Sequence, residues 1–287
     1  MTIAEACELA ALSRASFYRS YQEHEPRQAD IELRDCLQRL ALQNPRYGYR
    51  RLSHALRRQG CVANAKRVLR LMRLDNLLCV RKRRFVLTTD SNHFLPVYPN
   101  LAARLVVEGL NQLWVADITY IRLREQFVYL AVVLDAFSRR VIGWQLGESL
   151  EAKLALGALE QALSQRQYEP GLVHHSDRGV QYCCRDYVQR LEARGILISM
   201  SRRGNPYDNA RAESFIKTLK SEEVWLRQYR DIADARDSIG MFLEQVYHGR
   251  RLHSALQYRP PVEFEQALLA SGQHRATGRV RYEFSQA

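Results

Sequence analysis

The 287-residue sequence lacks the main features of membrane, secreted and zinc-binding proteins. Its longest apolar run, residues 127–134, has eight residues, whereas a membrane-spanning helix needs about 20. The six cysteines form no CxxC pair and accompany no histidine cluster, which argues against a structural zinc site and a disulfide framework. The first residues carry Glu5 and Glu8 and no basic flank, so we expect no secretory signal. These absences predict a reduced, cytoplasmic protein without a membrane partner.

Acidic residues are almost absent from one basic segment. Residues 44–84 contain 13 Lys or Arg and one acid, Asp75, so this segment carries a charge equal to the net +12 of the chain. Concentrated positive charge favours a polyanionic partner, and phosphate backbones attract such a surface without any reading of base sequence. A basic face that only keeps the protein in solution is the alternative.

The same segment has the periodicity of two short helices. Gly60 marks the end of the first helix, and Asn64 can cap the second. Their apolar stripes are Leu52, Ala55 and Leu56, then Val68, Leu71 and Met72. Two basic helices around a glycine-containing turn predict a helix-turn-helix. The expected DNA contacts are Arg50, Arg51, Arg57, Arg58, Lys66, Arg67, Arg70 and Arg73.

A second helix pair is predicted at the start of the chain, with a capping box at Thr2 and a cap at Ser13. Because this pair is nearly neutral, an ordinary helical bundle explains it equally well. Residues 85–108 contain turn formers and prolines without helical period, which indicates a linker.

The second half of the chain has the pattern of an α/β sheet. Three consecutive segments rich in β-branched and aromatic residues are followed by alternating helices and strands. The predicted strands are residues 113–121, 127–135, 140–146, 172–176 and 196–200, and the helices start near Ser149, Asp186 and Ala212.

Three acids in this half are candidates for metal binding. Asp117 lies within an apolar strand, Asp177 ends another strand, and Glu213 shares a helix face with Lys217 and Lys220. Three converging carboxylates can hold two divalent ions for phosphodiester chemistry, and Mg²⁺ prefers such oxygen ligands. Single acids more often cap a helix, close a turn or form a salt bridge, as is open for Asp135, Asp186, Asp208, Glu222 and Glu223.

Several local words together resemble the integrase-core DDE transposases of bacterial insertion sequences. The resemblance is closer to the second-reading-frame product of the subgroup related to retroviral integrases. The words are WVADITYI, LDAFSRRVIGW, HHSDRGVQY, GNPYDNARAESFIKTLK and YHGRRLHSAL in the core, and NPRYGYRRL with NAKRVLRLMR before it. The family pattern of two Asp, then Glu after 35 residues, then a basic residue seven positions on, is matched by Asp117, Asp177, Glu213 and Lys220. Here 59 residues separate the two aspartates.

The resemblance implies a ribonuclease-H-like integrase core, a mixed sheet flanked by helices, preceded by a small all-α helix-turn-helix region. It implies that Asp117, Asp177 and Glu213 are the catalytic, metal-binding acids, with two Mg²⁺ or Mn²⁺ ions, and that Lys220 contacts DNA. Lys217, on the same helix face, is a further expected DNA contact. The expected domains are a DNA-binding region 1–84, the linker, a catalytic core 109–265 and a tail 266–287.

The resemblance also implies partners and a location. They are double-stranded DNA of the element ends and target, further copies of the chain on DNA, and an upstream-frame product, in a bacterial cytoplasm at the nucleoid. Departures from the family words occur at His248, Leu252, Cys183 and Cys184, none of them at the acids.

Two other functions are consistent with parts of the sequence. A tyrosine recombinase needs a His-x-x-Arg and a later Tyr, which His248, Arg251 and Tyr282 imitate. A DNA-binding regulator needs the helix-turn-helix but no acidic trio. Near the trio, His175 is either a phosphate-orienting or a packing residue, and Asn209 either borders DNA or caps the following helix.

Overall fold

The computed structural model describes residues 2–21, 28–79, 95–202, 205–271 and 281–282, and the chain forms two compact units, residues 1–79 and 80–287. The first unit is helical. Its helices are α1 (Ile3–Leu9), α2 (Arg14–Tyr21), α3 (Gln28–Gln43), α4 (Tyr49–Arg58) and α5 (Ala65–Leu74). No helix among the residues described here is both long and apolar enough to cross a membrane.

The predicted helix-turn-helix is confirmed as α4 and α5. The turn between them needs Gly60, whose φ of 80° lies in the left-handed region that glycine adopts without strain. The Asn64 side chain accepts a hydrogen bond from the backbone of Lys66 and caps α5. All six residues of the predicted apolar stripes are buried. The predicted capping box at Thr2 also forms, at the start of α1.

Helix α3 was not predicted, although it contributes three buried leucines to the core of this unit. Leu33, Leu37 and Leu40 follow the i, i+4, i+7 spacing of one helix face and are buried. Two ion pairs, Arg67–Asp30 and Arg34–Asp75, join α3 to α5 and its C-terminal end, with the second N–O distance at 2.7 Å.

The second unit is built on a mixed five-stranded sheet, which confirms the predicted fold class. The strands are β1 (Leu105–Val106), β2 (Leu113–Arg122), β3 (Phe127–Asp135), β4 (Val141–Gly147), β5 (Val173–Ser176), β6 (Leu197–Met200) and β7 (Arg281–Tyr282). The order in the large sheet is β4-β3-β2-β5-β6. The first three strands of that order are antiparallel, whereas β5 and β6 run parallel to β2. This is the arrangement expected of a ribonuclease-H-like core.

Helices cover both faces of the sheet. They are α6 (Ala152–Gln165), α7 (Val180–Cys183), α8 (Arg185–Glu192), α9 (Ala210–Glu222), α10 (Ile232–Met241) and α11 (Pro261–Ala270). Alternate residues of β2 and β3 point to opposite layers, as the two-residue period of a strand requires. One layer packs on α9 and α10, and the other packs on α6 and α8.

The structure differs from the predicted domain limits at both ends of the core. In the predicted linker, residues 85–94 lie outside the described residues, but residues 95–108 pack on the core. The backbone N–H groups of Leu101 and Ala102 donate to Ser199 Oγ, and β1 follows directly. At the other end α11 continues past residue 265 to Ala270, and β7 pairs with β1.

Candidate active site and nucleic-acid interface

The parallel pairing of β2 with β5 sets the positions of the two aspartates. Val115 and His175 are the last register partners, and Asp117 and Asp177 each follow that pair by two residues, Asp177 directly after the end of β5. Matching positions two residues apart share a face of the sheet. Both side chains are half-buried, and both lie on the layer that packs against α9.

Helix α9 brings the third acid to the same layer. The buried Asn209 side chain donates from Nδ2 to the carbonyl oxygen of Ala116 at 3.0 Å, next to Asp117. This bond fixes the start of α9 against β2. Glu213 stands in the first turn of α9 and is exposed, while Ala212 faces the core. Asn209 therefore ties the two elements together, and its side chain does not cap the helix.

The electrostatics of Asp117 reflect these neighbours. Burial raises the pKa of the Asp117 carboxyl to about 8, and the charges of Asp177 and then Glu213 act in the same direction. Partial desolvation also raises the pKa of the Glu213 carboxyl above its usual value, although the residue is largely exposed. Uncompensated negative charge of this kind is what a divalent cation neutralises.

The donor chemistry of the three acids suits a hard cation, although their side chains are not gathered closely around one point. No three acidic, imidazole or thiol side chains in the described part of the chain lie close enough to ligate one ion. Asp117 Oδ1 accepts from the backbone N–H of Ile118 at 2.9 Å, and Asp177 Oδ1 accepts from Gly179 at 3.0 Å. One oxygen of each of these carboxylates is thus bonded to nearby backbone.

The two lysines of α9 differ in their surroundings. Lys217 is exposed. Lys220 is half-buried, and its Nζ lies 4.0 Å from the centroid of the Tyr120 ring. Burial lowers the pKa of Lys220, and the charge of Asp117 opposes that shift, which places the lysine near the acid.

The neighbouring acids of α9 bind other partners. Glu222 forms two hydrogen bonds with Arg251, at 2.8 and 2.7 Å. Glu223 is buried and accepts from Tyr229 and Ser238. These acids stabilise the packing of α9.

Of the remaining acids named in the sequence analysis, two are bonded within the fold and one is exposed. The fully buried Asp135 accepts from three backbone N–H groups and a hydroxyl, of Asn111, Phe137 and Ser138. Asp208 pairs with Arg202, which lowers the pKa of its carboxyl to about 2. Asp186 is exposed on α8.

His175 is a packing residue. Its ring nitrogens lie 2.8 Å from Ser199 Oγ and 3.0 Å from Ser201 Oγ, so both are occupied by β6 and the residue after it. Burial lowers the pKa of His175 to about 4, which keeps the ring neutral. Tyr207, which precedes Asn209 in the segment before α9, has a side chain outside the described residues.

The residues at the departures from the family words are also structural. Cys183 is buried with its sulfur 3.7 Å from that of Met200, and the Cys184 thiol donates to the Gln181 carbonyl. His248 is buried, and its Nε2 accepts from the backbone of Val141. Leu252 is buried as well.

The tyrosine recombinase alternative finds no support in these surroundings. Arg251 is buried in its ion pair with Glu222, and His248 is 2% exposed, so neither is available to a DNA phosphate. The Tyr282 side chain lies outside the described residues.

The predicted DNA-contacting residues of the first unit lie mainly on its surface. Arg50, Arg57 and Arg58 are exposed on α4. A groove of about 460 Å³ on α5 is lined by Lys66, Leu69, Arg70, Arg73 and Leu74. Arg51 is half-buried, with its guanidinium 5.6 Å from the centroid of the Tyr47 ring. Arg67 is engaged by Asp30, so its charge stabilises α3 against α5. The basic residues 81–84 lie outside the described residues.

Sequence reasoning missed two contacts of the site. Neither the bond from Asn209 to Ala116 nor the contact of Lys220 with Tyr120 has a local signal, because the partners are 93 and 100 positions apart. The one available clue was the position of Tyr120, three residues after the first acid in the word WVADITYI.

Comparison with known protein families agrees with this architecture. Two models described as an integrase core domain match residues 108–206 and 194–261, and one described as an HTH-like domain matches residues 28–85.

Curated relatives cover most of the chain. The insertion element IS600 uncharacterized 31 kDa protein of Shigella sonnei is 37% identical over 265 residues, covering 91% of this chain and 97% of that protein. The transposase for insertion sequence element IS904 of Lactococcus lactis is 37% identical, covering 77% and 87%. The transposase InsF for insertion sequence IS3A of Escherichia coli is 38% identical, covering 78% of each.

Two solved structures are similar to the chain at low identity. The simian T-cell lymphotropic virus intasome in complex with a PP2A regulatory subunit gives a TM-score of 0.47 at 13% identity, covering 88% of this chain and 78% of that chain. The HTLV-2 integrase catalytic core domain in complex with magnesium gives 0.42 at 17% identity, covering 55% and 97%.

Proposed function

Because this chain belongs to the family of insertion-sequence transposases with an integrase core, we propose that it cleaves DNA at the ends of its element and joins those ends to target DNA by metal-dependent DDE chemistry. Asp117, Asp177 and Glu213 are the proposed catalytic acids. The helix-turn-helix of α4 and α5 is the proposed binding site for the terminal sequences.

The position of Asp117 carries this proposal. Asp117 lies inside a strand, two residues after the Val115–His175 pair, and the start of α9 is bonded to the residue before it. The charge of Lys220 opposes the rise in the pKa of Asp117 but does not offset it. Among the described residues Asp117 makes one hydrogen bond, to the adjacent backbone of Ile118. Such a group is expensive to keep charged unless a cation accompanies it.

Two divalent cations, Mg²⁺ or Mn²⁺, are the proposed cofactors, and the three acids would hold them. When bound, such a pair activates the attacking oxygen and stabilises the leaving one in an in-line displacement. The protein's own residues then have separate tasks. Asn209 fixes α9 and so the distance of Glu213 from β2, while Lys217 and Lys220 attract the phosphate backbone. Each step forms one phosphorus–oxygen bond and breaks another.

The proposed partners follow from the same chemistry. Double-stranded DNA of the element ends contacts α4 and α5, and the core receives the reacting strand and the target. We further propose that several copies assemble on DNA, and that an upstream-frame product can be joined to or act with this chain in the bacterial cytoplasm.

Replacement of each acid by its neutral isostere tests the proposal. Asp117→Asn, Asp177→Asn and Glu213→Gln should each reduce strand transfer of labelled element ends by more than about 100-fold. This loss exceeds the roughly 10-fold to 100-fold loss that follows when a residue that only orients a metal ligand is replaced. Affinity for the ends should change by less than about twofold, because the binding surface lies elsewhere. Asp186→Asn, the same change at an exposed acid of α8, is the matched control.

Two results would contradict the proposal. Retained transfer in Asp177→Asn would remove that residue from the site. A wild-type protein that binds element ends but transfers no strand with either Mg²⁺ or Mn²⁺ would instead be a regulator.

A further inference from the structure

The Lys220 side chain contacts an aromatic ring, whereas the usual partner of a lysine is a carboxylate. Its ammonium lies 4.0 Å from the Tyr120 ring centroid, within the range in which a cation over a ring face is attracted. The side chain is half-buried and makes no ion pair within the described residues. Glu222 and Glu223, its nearest acids in sequence, are bonded to other groups.

Tyr120 is itself supported from the neighbouring strand. The Phe127 ring meets it edge to face, with centroids 5.6 Å apart and planes at 80°. This is a favoured arrangement of two aromatic rings and limits the rotation of both. The Tyr120 hydroxyl makes no hydrogen bond to any residue that the structure describes. The ring face, and not the hydroxyl, is therefore the part of this side chain that is used.

The contact lies beyond the acids on both elements. Tyr120 follows Asp117 by three residues, or about 10 Å along β2, and this odd step directs the two side chains to opposite faces of the strand. Lys220 follows Glu213 by seven residues, or about 10 Å along α9. Both elements thus extend from the acids to the same contact, which fixes β2 and α9 at a second point beyond the bond from Asn209 to Ala116.

We propose that Tyr120, supported by Phe127, is a positioning residue that holds the Lys220 ammonium beside the acids, ready to contact a DNA phosphate next to the reacting strand. This inference rests on the proposed function. A free lysine has a flexible four-carbon stem and must lose rotamer freedom when it binds a phosphate. A lysine already placed on a ring loses less, and a π face leaves its N–H groups free to donate to the phosphate.

The placement of Lys220 is testable without activity. Acetylation of the full chain with an N-hydroxysuccinimide ester, followed by mass spectrometry, gives the rate at each lysine. Lys220 should react several-fold more slowly than Lys153, an exposed lysine on α6. Tyr120→Leu should raise the Lys220 rate towards that of Lys153, whereas Tyr120→Phe, which keeps the ring, should leave it low. An unchanged rate in a folded Tyr120→Leu protein would overturn the proposed contact.

The consequence for DNA is measured with end-joining assays on the same proteins. Tyr120→Leu should weaken joining by about threefold to thirtyfold, through a higher KM for the end, which matches the strength of a cation–π contact. Tyr120→Phe should restore wild-type values. Lys220→Met combined with Tyr120→Leu should lose no more than Lys220→Met alone, because the two act through one ammonium. Lys153→Met is the matched lysine control.

The outcomes separate the two proposals. If Lys220 reacts slowly in the wild type and faster in Tyr120→Leu, but the KM of Tyr120→Leu for the element end is normal, the ring holds the lysine without serving DNA, and the positioning role is overturned. Loss of joining in Asp117→Asn with the acetylation pattern unchanged supports both proposals. Joining that survives every acid replacement would overturn the proposed function, while the acetylation rates would still decide the contact between Tyr120 and Lys220.

Discussion

At the scale of single residues, Asp117 and Asp135 show what separates a functional acid from a structural one. Both lie in neighbouring strands of the sheet with apolar neighbours in sequence. Asp135 is surrounded by donors that bond both of its oxygens, whereas Asp117 faces the charge of Asp177. Burial raises the pKa of both carboxyls, but backbone donors oppose this shift more extensively at Asp135. The partners, and not the strand context, distinguish the two roles.

Removing the Asp135 carboxylate should destabilise the core without acting on catalysis directly. Asp135→Ala leaves three backbone N–H groups and the Ser138 hydroxyl without their acceptor, at a cost of at least about 3 kcal/mol in the free energy of unfolding. Asp135→Asn, which keeps one acceptor oxygen, should lose less. Urea unfolding followed by tryptophan fluorescence measures this, since all three tryptophans lie in the second unit. Asp186→Asn should stay within about 0.5 kcal/mol of wild type, and equal stability of Asp135→Ala would show that the donors find other acceptors.

At the scale of elements, the layer opposite the acids depends on a close approach between β4 and α6. A side chain at Gly143 would overlap the carbonyl oxygen of Ala158 and approach the backbone nitrogen of Ala162 at 2.9 Å. The apolar face of α6, with Ala155 and Leu159 fully buried, packs directly on the sheet as a result. This layer supports β2 from behind and so fixes the strand that carries Asp117.

Gly143→Ala should therefore destabilise the core by about 3 kcal/mol or more, since rigid backbone lies in the way and overpacking of this kind forces the helix outwards. Gly195→Ala is a comparison with a different cause, because its φ of 65° is strained for alanine while the space around it is open. Its cost should be about 1 kcal/mol. Thermal unfolding of both variants gives the order, and a Gly143→Ala protein as stable as wild type would mean that α6 moves freely.

Sequence patterns predicted those elements whose signal is local. Caps, glycines and apolar periods located α4, α5 and most strands within one or two residues, because each of these signals acts within a few positions. Helix α3 has an equally clear stripe of leucines and was overlooked. Helices α10 and α11 have weak amphipathic patterns, and α10 continues into a π-helical segment, Phe242–His248, that breaks the period. The site depends on the strand register and on the contacts of Asn209 and Tyr120. These contacts join residues far apart in sequence, so a pattern of neighbouring residues cannot reveal them.

At the scale of the whole molecule, both units carry positive charge, but at different densities. The basic segment 44–84 crosses into the second unit at residue 80, and each unit has a net charge of +6, over 79 residues in the first and 208 in the second. A densely basic surface binds DNA largely through released counterions, so its affinity depends steeply on salt. The second unit spreads the same net charge over a much longer chain, and all three proposed acids lie in it.

The salt dependence of binding should follow the groove on α5. Lys66→Ala with Arg73→Ala removes two exposed cations, and should reduce the slope of log affinity against log salt by up to about 1.8, at about 0.9 per phosphate contact. Arg39→Ala is the matched control, because Arg39 is an exposed arginine of α3 already paired with Asp35. Fluorescence anisotropy with labelled element ends, measured from about 50 to about 300 mM salt, gives the slope for the wild type, the double variant and the control. Equal slopes in the double variant and wild type would move the main DNA contact away from α5.

The parallel register of β2 and β5 also determines which changes of chain length the core can accept during divergence. An insertion in residues 166–172, between α6 and β5, leaves the strand pairing intact, so Asp117 and Asp177 drift apart in numbering while remaining neighbours in space. A deletion of one residue inside β5 has the opposite effect, because it turns Asp177 to the other face of the sheet. The 59 residues between the two aspartates are thus set by the length of a crossover. What selection has to preserve is the two-residue step from the last paired position to each carboxylate.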